Sequence, residues 1–152
     1  MQYSLSYLDS SNKYHRIVFG YSNEQDLQNK IQKYSKPDSV IVPERPDSNY
    51  IWNGTDWILP NEVIEKEYEN AIQRMMEDKA HDYGYDSLTS AISYADEPSV
   101  LKFCNEGKAF RKWRSLVWNQ CFQILNDVRN GNRTIPEFEE LVNELPIFEV
   151  EN

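Results

Sequence analysis

Apolar residues recur most regularly between Ala109 and Val128. Phe110, Trp113, Val117, Cys121, Ile124 and Val128 follow one another at spacings of three and four, one face of an α-helix. Trp118, Phe122 and Leu125 form a second apolar row beside them. Together the rows cover roughly half the circumference, wider than the ~100° stripe of an ordinary surface helix. Such a helix packs on more than one side: it is central in a bundle, or it keeps one flank for a partner. Upstream, Val100, Phe103 and Gly107 stay in phase, which predicts a helix capped by Ser99 and continuous, or mildly kinked, through Gly107. A glycine on the buried stripe lets another backbone come close, which offsets its cost of about 1 kcal/mol relative to alanine. By the same phase Arg114 falls inside the apolar arc. It reads either as half of a buried ion pair locking the bundle or as an anchor for a partner protein.

The other helices are shorter. Val63, Ile64, Tyr68, Ala71, Ile72, Met75 and Met76 mark one that opens at Pro60 or Asn61 and runs to about His81, with Gly84 as its stop. Its apolar side is expected to meet the long helix around Trp113 and Val117. Asp86 is the expected cap of a helix over 87–95, and Asp96-Glu97-Pro98 breaks it. Asn130-Gly131-Asn132 closes the long helix. Thr134-Ile135-Pro136-Glu137 has the pattern of a capping box for a last helix, 136–143, with Phe138, Leu141 and Val142 inside. Leu145-Pro146-Ile147-Phe148 is expected to trail over the surface.

Before residue 60 the period is two. Tyr3, Leu5 and Tyr7 alternate with polar residues in a predicted strand, Asp9-Ser10-Ser11-Asn12 is a turn cluster, and 14–21 (YHRIVFGY) completes a hairpin. A helix capped by Ser22 or Asn23, with Leu27, Ile31 and Tyr34 inside, and a short strand at Val40-Ile41-Val42 follow. Asn53-Gly54 between two aromatic and aliphatic runs is a strong hairpin signal: a type I′ turn needs positive φ at both central positions. Trp52 and Trp57 then flank the turn. The reading is α+β: a small β-rich domain over 1–59, followed by an α-helical bundle over 60–149.

Composition narrows the chemistry. The net charge of −9 argues against nucleic acid and against an anionic membrane surface, both of which require clustered Lys and Arg. No apolar run reaches the length of a membrane span, and the first residues lack the basic start and apolar stretch of a signal peptide. Cys104 and Cys121, if on one helix, lie about 25 Å apart, too far for a disulfide; free thiols suit a reducing cytosol. His81 and Asp82, with Asp78 and Asp86, form a weak metal-ligand pattern that matches neither a zinc nor a calcium spacing. Cys104 or Cys121 with His15 or His81 is an equally weak nucleophile and base. No glycine-rich phosphate loop follows a strand. The expectation is a protein without catalytic residues, metal or cofactor. Four Trp, ten Tyr and six Phe read as a core of large side chains or as interface surface.

Three phrases carry a resemblance: YGYDSLTSAISYA (83–95), KFCNEGKAFRKWRSLVWNQCFQIL (102–125) and NGNRTIPEFEELVNELP (130–146). They resemble a helical domain found in small proteins of tailed bacteriophages, encoded among tail and tail-fibre genes. The diagnostic elements are Gly84-Tyr85-Asp86-Ser87, Ser93-Tyr94-Ala95, Glu106-Gly107, Ala109-Phe110, Trp113-Arg114, Val117-Trp118, Glu140-Leu141 and Leu145-Pro146. These are packing, capping and turn residues. At Lys102, Cys104, Asn105 and Arg111 the chain departs from the alanine-rich habit of that domain. The resemblance spans just over half the chain and implies an interaction protein: a virion component at the tail, baseplate or fibre attachment, in several copies, or a tail-fibre assembly chaperone working in the host cytoplasm. A cell-wall hydrolase is the weakest alternative. The expected partners are tail or fibre proteins, and further copies of the chain. The expected contact is the aromatic hairpin of Tyr50, Trp52 and Trp57 beside an open sheet edge, on 60–149 as a rigid mount. The competing contact is Trp118 with Phe122.

Overall fold

The alternation of the first twenty residues produces a two-stranded ribbon in register. Strand β1, Gln2–Leu8, pairs antiparallel with β2, Tyr14–Gly20, from Gln2 opposite Gly20 to Leu8 opposite Tyr14, in the computed structural model, which describes residues 1–150. Helix α1, Glu24–Tyr34, follows, with Asn23 as its cap accepting the Asp26 N–H at 2.9 Å. Strand β3, Val40–Ile41, returns to the other side of β1, giving the order β2-β1-β3. Strands β4, Ile51–Trp52, and β5, Trp57–Ile58, form a separate hairpin.

The register sets the layers of this part. Tyr3, Leu5 and Tyr7 lie across from Phe19, Ile17 and His15. Phe19 carries that face onto α1 through Tyr34, ring centroids 5.1 Å apart. On the opposite face Tyr14 meets Trp57 edge-on at 5.4 Å. Covered on both sides, β1 buries Ser6 and Leu8 as well as Leu5 and Tyr7, so it is not the half-buried strand that alternation predicts. The Ser6 hydroxyl stays satisfied by the Tyr14 hydroxyl at 3.0 Å.

The second hairpin departs from the expected type I′ turn. Trp52 faces Trp57, so four residues form the loop, and Asn53 does not take positive φ. Instead its side-chain oxygen accepts the N–H groups of Thr55 (2.9 Å) and Asp56 (2.8 Å), doing through a side chain what the tighter turn does through backbone geometry.

The helical part begins with α2, Asn61–Asp82. The chain divides into two compact units, Met1–Val63 and Ile64–Asn152, so the division falls inside the first turn of α2 rather than ahead of it. Gly84, at φ +86°, ends α2: its N–H reaches the His81 carbonyl and the Tyr85 N–H reaches that of Ala80. This double closure needs a left-handed residue, which glycine supplies without a Cβ clash. Helix α3, Leu88–Ser93, is capped by Ser87, one residue later than expected, and a 3-10 turn covers Tyr94–Asp96. The Leu88 N–H at its start donates to the Glu77 carboxylate at 2.6 Å, so α2 helps cap α3.

Helix α4, Leu101–Arg129, is unbroken through Gly107. A Cβ at Gly107 would lie 2.5 Å from the Ala95 nitrogen and 2.8 Å from the Ala91 carbonyl oxygen, so backbone lies directly on this helix. Ser99 is not its cap: its hydroxyl is bound to Glu97, and Val100 holds the position without a side-chain bond. Val100 and Phe103, in phase with the buried stripe, are nevertheless exposed. The last helix, α5, Phe138–Glu144, starts two residues later than expected. Its cap residue is Glu137, whose N–H donates to the Glu140 carboxylate at 3.2 Å, so the box is one turn downstream of Thr134.

Ile72, Met76 and Ala80 of α2, Leu88 and Ala91 of α3, and Phe110, Trp113, Val117 and Ile124 of α4 form one buried cluster with Leu141 and Leu145. The chain after α5 belongs to it. Phe148 stacks on Phe110 at 4.2 Å, and the Trp113 indole N–H donates to the Pro146 carbonyl at 2.6 Å. The expected surface tail is instead drawn inward, because a buried indole N–H needs an acceptor.

Candidate protein interaction surfaces

In the N-terminal unit, Trp52 and Trp57 sit edge to face at 5.3 Å, and Trp57 also meets Tyr14. The Trp57 indole N–H donates to the Pro43 carbonyl at 2.8 Å, and Arg45 lies over the Tyr14 ring at 4.7 Å. Both tryptophans and Tyr50 are half-buried. The period of two therefore turns the indoles toward the unit's own sheet and their neighbours outward. Ile51 and Ile58 are paired across the hairpin and exposed; Val40 and Ile41 on the edge strand β3 and Val18 on β2 join them, between 40% and 57% exposed. Sequence reading singled out the aromatic members of the hairpin as the contact and did not single out these exposed aliphatic residues.

Beside that surface, Asp9 organises the β1–β2 turn. Its carboxylate accepts from the Ser11 and Lys13 N–H groups at 2.9 and 3.1 Å and contacts the His15 ring at 2.7 Å. The His15 contact first, then these backbone bonds, hold its pKa down at about 2.

In the helical unit, the structure separates the residues singled out on α4. Phe110, Trp113, Val117 and Gly107 are buried, and Cys121 is half-buried. Arg114 is exposed, contrary to the buried position its phase implies, and makes no ion pair among the described residues. It sits at the edge of the arc, where its long side chain reaches water and avoids the desolvation that a buried guanidinium incurs. Trp118 and Leu125 are half-buried, and Phe122 is 59% exposed. Arg114, Ser115 and Trp118 line a shallow depression with Ile92 and Arg111.

A second exposed group, Tyr94, Val100, Leu101 and Phe103, surrounds the start of α4. Tyr94 and Phe103 lie 5.5 Å apart, and Tyr85 lies 5.7 Å from Tyr94. Beneath them the Tyr85 hydroxyl donates at 2.6 Å to the buried Glu106, which also lies 3.8 Å from the Lys102 ammonium. Burial, and then this bond, push the Tyr85 pKa upward. Sequence reading missed the group because Val100 and Phe103 fall on the phase assigned to the interior, and neither Tyr94 nor Leu101 was singled out as a contact.

The candidate chemical residues take structural partners. His81 donates to the Asp86 carbonyl at 3.0 Å, and Asp82 pairs with Lys79 at 3.7 Å. Burial pushes the Cys121 thiol up to about 11, away from the thiolate a nucleophile needs. Cys104 is a buried free thiol directed at the Ala95 carbonyl. Among the described residues, no group of three or more His, Cys, Asp or Glu is disposed to hold a metal ion, and no helix is long and apolar enough to cross a membrane.

No family model, curated protein or solved structure matches the chain.

Proposed function

We propose that the chain is a non-enzymatic component of a bacteriophage tail, acting by protein–protein contact at the tail, baseplate or fibre attachment. The resemblance of its helical phrases supports the setting. The observation that carries the mode of action is the outward apolar set of the N-terminal unit: Val18, Val40 and Ile41 on a small sheet, with Ile51 and Ile58 on the adjoining hairpin. Apolar side chains beside a strand edge suit strand addition by another chain, in which main-chain hydrogen bonds give affinity and alternate side chains give specificity.

The test is mass spectrometry of purified particles carrying the wild-type chain or the Ile51→Lys/Ile58→Lys variant. Integral copy number for the wild type, lost in a variant that remains folded, is the expected result. A chain absent from particles whose deletion also abolishes folded fibre makes it an assembly chaperone instead. Full incorporation of the variant removes the hairpin from the contact.

A further inference from the structure

A stripe on α4 repeats at alternating spacings of three and four: Lys108, Arg111, Ser115, Trp118, Phe122 and Leu125. It lies beside the row that enters the core. Lys108, Arg111, Ser115 and Phe122 are exposed, and Trp118 and Leu125 are half-buried. The stripe is cationic at its start and apolar at its end. From Gly107 to Asn126 the chain has no carboxylate, although its net charge is −9. Arg111 is bound to Asp96 at 2.9 and 3.2 Å, whereas Arg114, flanking the stripe, has no ion pair among the described residues.

From this geometry we infer that this face of α4 is a docking surface for an acidic amphipathic helix of another protein. The spacing of three and four asks for the same period in the partner, because an exposed helical stripe is matched along its length by a second helix. The apolar half asks for Leu-like or aromatic residues over Trp118 and Phe122. The cationic half, set in an otherwise acidic molecule, asks for carboxylates opposite Lys108 and Arg114, and repels a basic partner. The surface belongs to the helical unit, and the inference does not depend on the tail reading.

The test uses the full chain and two synthetic helical peptides of about three heptads. They share one leucine stripe, flanked by Glu in one and by Lys in the other. Fluorescence anisotropy should show the Glu peptide binding at least about tenfold more tightly, with the preference shrinking as salt is raised. Arg114→Glu should reduce or reverse the preference. Phe122→Ser should weaken both peptides about tenfold at unchanged melting temperature, since the side chain is exposed. Equal binding of both peptides, binding of neither, or indifference to Phe122→Ser overturns the proposal. Concentration-dependent dimerisation abolished by Phe122→Ser would make the occupant a second copy and also overturn it, as would Phe122-dependent binding to phosphatidylserine vesicles without peptide binding.

Discussion

The two units spend their apolar residues differently. The N-terminal unit buries Leu5, Tyr7, Leu8, Leu27 and Val42, and of these only Leu5 is among the largest fully enclosed side chains of the molecule. It leaves Val18, Val40, Ile41, Ile51 and Ile58 in water, as the helical unit leaves Leu101, Phe122 and Ile147, so the difference lies in what each encloses. The helical unit encloses Phe110, Ile72, Met76, Leu88 and Val117 completely and satisfies its buried indole with a backbone carbonyl. Much of the difference comes from geometry. A long helix such as α4 buries one continuous stripe against α2, α3 and the chain after α5, while a three-stranded sheet with one helix and one hairpin has too little material to cover both faces and both edges. Local stability follows buried apolar surface, so the helical unit is expected to be the more stable of the two.

The largest effect should come from breaking the core of the helical unit. Trp113→Ala removes a ring that touches Phe110 and Phe148 and the donor to Pro146. It should cost about 3–5 kcal/mol in urea unfolding. Amide exchange should show the loss confined to the helices, with the β1–β2 ladder keeping its wild-type protection. Equal loss in the ladder would mean the two units share one stability.

Gly107→Ala should come next. The new methyl would press on three atoms of the opposing backbone, in Ala91, Tyr94 and Ala95, none of which is the end of a flexible side chain. Overpacking of this kind costs about 1–3 kcal/mol, more than the ~1 kcal/mol that alanine gains over glycine in a helix. A rise in melting temperature would show that the 3-10 turn yields, and that this part of the helical unit is no stiffer than the sheet.

What the sequence made legible follows the same division. Regular patterns survived: α4 as one helix and the Gly84 stop rest on interactions within a few residues of one another, and the β1–β2 hairpin on two alternating runs joined by a short turn. The α+β class follows from them. Arg114 did not survive, because helical phase gives a direction but not which flank a neighbouring helix covers. The Glu77 carboxylate at the start of α3 has no local signature, since the groups come from different helices. The indoles of the hairpin were legible as a pair, but the ring that Trp57 packs against, Tyr14, lies far upstream. Of the surface residues, Phe122 was visible from its row, whereas Val100 and Leu101 are exposed only because the helix starts where it does.

The smallest effect is a pH dependence belonging to the N-terminal unit alone. The Asp9 carboxylate titrates at about 2 in the fold, below its ordinary 3.8, because the His15 ring and the turn's backbone N–H groups favour its charged form. A depressed carboxylate contributes stability above its ordinary value and loses that contribution as pH falls through the folded one. The window is therefore from about pH 4 down to about pH 2. Asp9→Asn keeps an acceptor for the turn but removes the charge. Exchange protection of the β1–β2 amides should be higher in wild type than in the variant at pH 5, and the gap should close as pH drops through the window. The helices carry their own lowered carboxylates, at Asp96 and Glu144, each held by an arginine, so their acid response should be the same in both proteins. A wild-type-to-variant gap that stays constant to pH 2, or that appears in the helices, would show that the Asp9 charge does not act through this turn.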